Sequence, residues 1–269
     1  MVKRLISAVV GVPVLLFLVF IGGPYYIGAI MLIALIAAVE IGRILKRMGI
    51  NDMQSFLYAG ALLFPLLLSF EPSWLPHFFV FFIFSGVMIS LSRYPESDFL
   101  DLGANFLSLL YVAFGFAHFI LLRQMEQGML LVGFAFSVIW MTDIGSFFVG
   151  TYLGKRPLFK EASPNKTIEG AIGGLVCGIA GGLVYCVMIN RSQVGPIDNM
   201  GFLIILTPFL CVAGILGDLF ESALKRRAKV KDASQLIPGH GGILDRFDSA
   251  LWIIPLLYHA LATRMTIFS

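Results

Sequence analysis

Polar positions along this chain come in short bursts between long apolar runs. Nine runs are long enough to cross a bilayer, each needing about 20 residues. They cover 5–22, 25–43, 54–70, 74–92, 102–122, 129–151, 168–190, 200–221 and 249–266. The pattern predicts an all-α, polytopic integral membrane protein with about nine transmembrane helices. Lys3 and Arg4 precede the first run, as in a signal peptide, but no clear small-x-small cleavage site follows it. Gly22-Gly23-Pro24 instead reads as a turn into the second run, so the first is expected to stay as a helix.

The placement of charge orients these runs. With the N-terminus in the cytoplasm, the inner segments hold all but three of the 19 Lys and Arg residues. The three outer ones are Arg123, Arg191 and Arg264. Such a bias is the positive-inside pattern. It predicts a cytoplasmic N-terminus and puts both strongly charged loops, 152–167 and 222–248, on the cytoplasmic side of the cell membrane.

Composition agrees with this class. The chain of 269 residues is 58% hydrophobic and 13% charged, against about 25% charged in soluble domains. A net charge of +3 gives no reason to expect a nucleic-acid partner. Cys177, Cys186 and Cys211 all lie in apolar runs without CxxC or Cys/His spacing, so they read as small buried thiols. The histidines His77, His118, His240 and His259 are scattered, which argues against a His-based metal site. Gly150-x-x-x-Gly154-Lys155-Arg156 is one residue short of a P-loop and lacks its Ser/Thr. There is no GxSxG.

The two halves differ. Residues 1–128, spans one to five, are rich in Leu, Ile and Phe and poor in embedded charge; they read as scaffold. Glu40 is an exception near a helix end, where snorkelling to the interface is the simplest account. Residues 129–269 hold the chemistry. Span six carries Asp143, and an ionisable group near the bilayer centre costs about 2.5–3.5 kcal/mol, so its default reading is functional. Thr142, Ser146, Gly150 and Gly154 follow one another at four-residue spacing, as do Gly170, Gly174, Gly178 and Gly182 in span seven. Small residues so spaced form tight helix seams. The seams are also compatible with a homodimer, which the residues do not demand. Between the two spans, Thr167 is expected to cap span seven, and Lys166 beside a helix start makes an anion site. An ordinary basic loop would look the same.

The densest charge lies at Gly217–Asp248. In a helix, Asp218, Ser222, Lys225 and Lys229 share one face. Asp245 and Asp248 stand i, i+3 at the start of the last span. Between Lys229 and Asp245 lies Pro238-Gly239-His240-Gly241-Gly242. Carboxylates and cations around a glycine-rich loop suit a metal–phosphate site, the carboxylates for a hard cation and the Lys and Arg groups for phosphate oxygens. A plain basic anchor for anionic lipid headgroups would explain Lys225–Lys231, but not Asp218, Asp245 and Asp248.

The same stretch resembles a known family. Ser222-x-Leu224-Lys225-Arg226, Lys231-Asp232, Leu236, Pro238-Gly239-His240-Gly241-Gly242-Ile243 and Asp245-Arg246-Phe247-Asp248 look like the signature of phosphatidate cytidylyltransferases, or CDP-diacylglycerol synthases. A second block is similar to the same family: the Asp143 helix, Gly154-Lys155, then Ser163-Pro164-Asn165-Lys166-Thr167-x-Glu169-Gly170. The resemblance implies an enzyme that condenses CTP with phosphatidate at the lipid bilayer, giving CDP-diacylglycerol and pyrophosphate. It implies one or two divalent ions, most simply Mg2+, held by Asp218, Asp245 and Asp248, with Asp143 fourth. The expected catalytic set is Asp218, Lys225, Asp245 and Asp248. The expected phosphate-binding set is Lys166, Ser222, Arg226, Lys231, Gly239, His240, Gly241, Gly242 and Arg246. Two other classes compete. An ion-coupled transporter could use Asp143 and Asp218, but no similarity between halves is visible. Other membrane phosphotransferases use carboxylate motifs of different spacing.

Overall fold

The computed structural model describes residues 2–51, 53–192, 200–236 and 241–268. Helices occupy each apolar run, and six of those described are long and apolar enough to cross a membrane: Gly23–Arg47, Leu75–Ser92, Phe99–Gln124, Gly128–Leu153, Ile168–Arg191 and Met200–Arg227. Gln54–Phe70 is a shorter apolar helix. The chain divides into two compact units, Met1–Gln124 with Leu224–Phe247, and Met125–Ala223 with Asp248–Ser269.

The first unit holds α1 (Val2–Ile21), α2 (Gly23–Arg47), α3 (Gln54–Phe70), α4 (Leu75–Ser92), α5 (Phe99–Leu109) and α6 (Gly115–Gln124). A π-helical turn, Leu110–Phe114, joins α5 to α6. Gly22 and Gly23 make the sharp entry into α2 with φ of 64° and 57°, backbone that glycine adopts without strain. A side chain at Gly22 would also collide with Arg123, whose Nε donates to the Val19 carbonyl at 2.7 Å. Ala34, Ala37 and Ala38 are buried on α2 and let α3 approach closely. Phe64 and Phe82 pack with tilted rings, centroids 4.8 Å apart, between α3 and α4. Asp98 and Asp101 cap α5 reciprocally. In the same unit, α10 (Leu244–Phe247) sets Phe247 against Phe116 and Phe119, with ring centroids at 5.4 and 5.8 Å.

The second unit is built on α7 (Gly128–Leu153) and α8 (Ile168–Arg191), with α9 (Met200–Arg227) as far as Ala223 and α11 (Ala250–Phe268). The two small-residue stripes meet as a seam between α7 and α8. A Cβ on Gly174 would lie 2.8 Å from the Thr142 carbonyl, and one on Gly170 would lie 2.9 Å from that of Ser146. Backbone-to-backbone contact of this kind is open only to glycine. The loop expected between these helices is partly a hairpin: β1 (Pro157–Phe159) pairs antiparallel with β2 (Ser163–Thr167). Among the described residues the fold is therefore helical with one small two-stranded sheet, which hydrophobic periodicity over such a short polar stretch does not reveal.

Candidate active site

In the second unit, α9 brings Asp218 and Glu221 onto one face, three residues apart. Asp248 joins them from the turn before α11, and carboxylate oxygens of the three lie within 4.8 Å of one another. Two local features bring Asp248 there. Gly217 leaves room for it, since a Cβ would come 2.7 Å from the Asp248 carbonyl. Ser249 fixes the turn by donating its Oγ proton to the Gly214 carbonyl at 3.1 Å.

The electrostatics of this cluster are severe. Glu221 is fully buried. Burial raises the Asp248 carboxyl well above its usual range, and the charges of Asp218, Glu221 and Asp143 push the same way against one favourable N–H from Ser249. Asp143 stands exposed on α7. Lys166, at the end of β2, forms an ion pair with Asp218. The hairpin that positions Lys166 is latched by Glu169, which accepts from the Lys155 and Arg156 N–H groups at 3.1 Å each. Thr167 caps α8 by accepting from Gly170 N at 3.1 Å, as expected. Three clustered oxygen donors with an excess of negative charge are what a hard divalent cation takes. The residues present thus fit a hard divalent cation.

In the first unit lies a second charged group. Lys225 pairs with Asp245 at 2.5 Å, with side chains 13% and 5% exposed. The other Asp245 oxygen accepts from Gly242 N at 2.7 Å and Ala233 N at 2.9 Å. Burial pushes the Asp245 carboxyl up, but the Lys225 hydrogen bond, the Gly242 and Ala233 N–H groups and the Lys225 charge together hold it below its usual range. Gly241 has φ +83°, and a Cβ there would lie 2.6 Å from Asp245 Oδ2. Arg226, Lys231 and Arg246 are exposed, and Ser222 is half-buried.

The expected site residues therefore fall into two groups. Lys166, Asp218 and Asp248 come together, with Asp143 contributing to the field. Lys225, Asp245, Gly241 and Gly242 form the other. Gly239 and His240 lie outside the described residues. Asp245 and Asp248 do not share a helical face, because α10 ends at Phe247 and α11 begins at Ala250. Lys229 also leaves the α9 face: the helix ends at Arg227, and Lys229 turns to φ 55°. Glu221 was missed, although its i, i+3 spacing from Asp218 in the same apolar run was a usable signal.

Residues 2–264 match the model of the "Cytidylyltransferase family". Over 268 residues the chain is 37% identical to the phosphatidate cytidylyltransferase of Bacillus subtilis (strain 168), covering 97% of this chain and 98% of the relative. It is 34% identical over 261 residues to the enzyme of the same name from Staphylococcus haemolyticus (strain JCSC1435), covering 94% and 96%.

Proposed function

The chain belongs to the cytidylyltransferase family, and on that premise we propose that it condenses CTP with phosphatidate in the membrane. An oxygen of the phosphatidate phosphate attacks the α-phosphorus of CTP. The bond from that phosphorus to the bridging oxygen of the β-phosphate breaks, pyrophosphate leaves, and CDP-diacylglycerol stays in the bilayer. The Asp218–Glu221–Asp248 cluster, with its carboxylate oxygens within 4.8 Å, carries this reading on the structural side.

Both reactants are anionic, so the site's task is to suppress their repulsion and stabilise the leaving group rather than to supply a nucleophile. Asp218, Glu221 and Asp248 would hold one or two Mg2+ ions, with the charge of Asp143 acting on the same cluster. When bound, the metal neutralises phosphate charge and polarises the reacting phosphorus. Lys166 exchanges part of its pairing with Asp218 for a phosphate oxygen. Lys225, Ser222, Arg226, Lys231 and Arg246 serve the triphosphate and the lipid phosphate, and Gly241 and Gly242 open the backbone to them. No general base is needed, because a phosphate dianion is already a competent nucleophile.

The chain crosses the membrane nine times with its N-terminus inside, and the site faces the cytoplasm, where CTP is made. The positive-inside count supports this arrangement. The glycine seams are compatible with a homodimer. The ion-coupled transporter gains no support from the family match. The test is pyrophosphate release by purified protein in detergent with CTP, phosphatidate and Mg2+, against controls lacking each. Release that needs all three is the expected result; release without phosphatidate, or none in a folded preparation, overturns the reading.

A further inference from the structure

Glu40 does not snorkel. It lies on α2 in the first unit, 1% exposed, and both carboxylate oxygens are engaged by Ser234, Ile243 and Leu244. Oε1 accepts from Ser234 Oγ at 2.6 Å and from Ile243 N at 3.0 Å; Oε2 accepts from Leu244 N at 2.8 Å. The contact is close enough that a Cβ on Gly242 would lie 2.6 Å from Glu40 Cδ. The bonds cross about two hundred residues of sequence, and two of them come from backbone N–H groups next to Asp245 of the Lys225–Asp245 pair. A buried carboxylate is retained only where hydrogen bonds offset its lost hydration, and among the described residues the donors are Ser234, Ile243 and Leu244.

We propose that Glu40 is a positioning residue for the nucleotidyl-transfer reaction. Its carboxylate clamps the backbone at Ile243 and Leu244. That fixes Gly242 and Asp245, and through Asp245 the ammonium of Lys225. This inference rests on the reaction proposed above, since it is the phosphate-binding role of that segment that makes its placement matter. A carboxylate is required, not merely a side chain of that volume, because three donors converge on two acceptor oxygens. An amide in its place presents an NH2 to an N–H or O–H donor.

The experiment compares Glu40→Gln and Glu40→Asp in the full-length protein in detergent. It reads steady-state CDP-diacylglycerol formation against CTP, and hydrogen–deuterium exchange at Ile243 and Leu244. Misplacing a reacting group by about 1 Å costs on the order of 100-fold in rate, so Glu40→Gln is expected to lose about 10- to 100-fold in kcat/KM. Glu40→Asp, shorter but still a carboxylate, is expected to retain more. A purely packing role predicts the reverse order, because Gln keeps the volume. The two amides are expected to exchange at least about tenfold faster in Glu40→Gln. Gln performing as well as Asp, or unchanged exchange at both amides, overturns the proposal. So does faster exchange with unchanged kinetics. If the Glu40 variants do not fold, Ser234→Ala removes one donor and is expected to lose about threefold in kcat/KM; an unaltered value overturns the proposal. A wild type that makes no CDP-diacylglycerol defeats the reaction reading, while the exchange measurement still decides the clamp.

Discussion

Lys225 donates to one carboxylate oxygen of Asp245 at 2.5 Å, and the second oxygen takes the N–H groups of Gly242 and Ala233. One acidic side chain thereby ties the end of α9 to both ends of the segment that follows it. Both side chains are mostly buried, and breaking a buried pair from one side costs up to about 3–5 kcal/mol, because the other charge is stranded. Asp245→Asn is expected to destabilise the protein by that order. The double variant with Lys225→Met should lose clearly less than the two single losses added together, which denaturation of all four forms in detergent would measure. Strict additivity would mean that the pair is not coupled.

The same pair predicts an acid limb. Asp245 has a folded pKa below its ordinary value, and an unperturbed Asp titrates near about 3.9. The folded state therefore binds fewer protons than the unfolded state across this window. The resulting stabilisation is complete above about pH 4 and is lost as pH falls through the depressed folded value. The stability difference between wild type and Asp245→Asn should be widest near neutrality and shrink below about pH 4. A difference that holds constant down to about pH 2 would contradict the assignment.

Glu221 supplies the next prediction. It is fully buried beside Asp218 and Asp248, and the charge count of an oxygen site tunes cation affinity over decades. Glu221→Gln keeps the volume and removes one charge. The Mg2+ concentration for half-maximal turnover should rise by at least about tenfold. Direct Mn2+ binding, read by electron paramagnetic resonance, should weaken in parallel. Unchanged binding would leave Glu221 as a packing residue.

The α7–α8 seam can be tested without reference to chemistry. Gly174→Ala drives a methyl to within 2.8 Å of the Thr142 carbonyl, and overpacking costs about 1–3 kcal/mol. Gly28→Ala, also in a helix, meets nothing within 4 Å and should be neutral or stabilising by up to about 1 kcal/mol. Equal midpoints for both variants would remove the seam from the account.

How much of this was legible in the sequence follows from which interactions are local. The apolar runs fixed where helices lie, because each run satisfies its own backbone. The glycine stripes foretold the seam, and Thr167 its cap, because both are read within one helix or turn. Asp218 and Asp248 were visible as charges in apolar company. Glu221 was passed over although it obeys the same helical spacing. Placing Asp245 beside Asp248 assumed one continuous helix, and the break after Phe247 is not marked by Gly or Pro. The role of Glu40 could not be read: its donors lie about two hundred residues away, and all three, two backbone N–H groups and one hydroxyl, leave no charge pattern.

The crossing number gives the last prediction. Nine spans with the N-terminus inside put the turn after α3 outside and the β1–β2 hairpin inside. Cys177, Cys186 and Cys211 are free thiols, so a version with all three replaced by Ala is the background. On it, Glu71→Cys should react with a membrane-impermeant maleimide on intact cells. Lys160→Cys should react only after the membrane is opened, since it sits between β1 and β2 beside the strand that carries Lys166. The reverse pattern would put Lys166 and Asp218 on the side without CTP and refute the orientation. Labelling of both positions from outside would mean an even number of crossings between Glu71 and Lys160, rather than the three assigned to α4, the α5–α6 segment and α7.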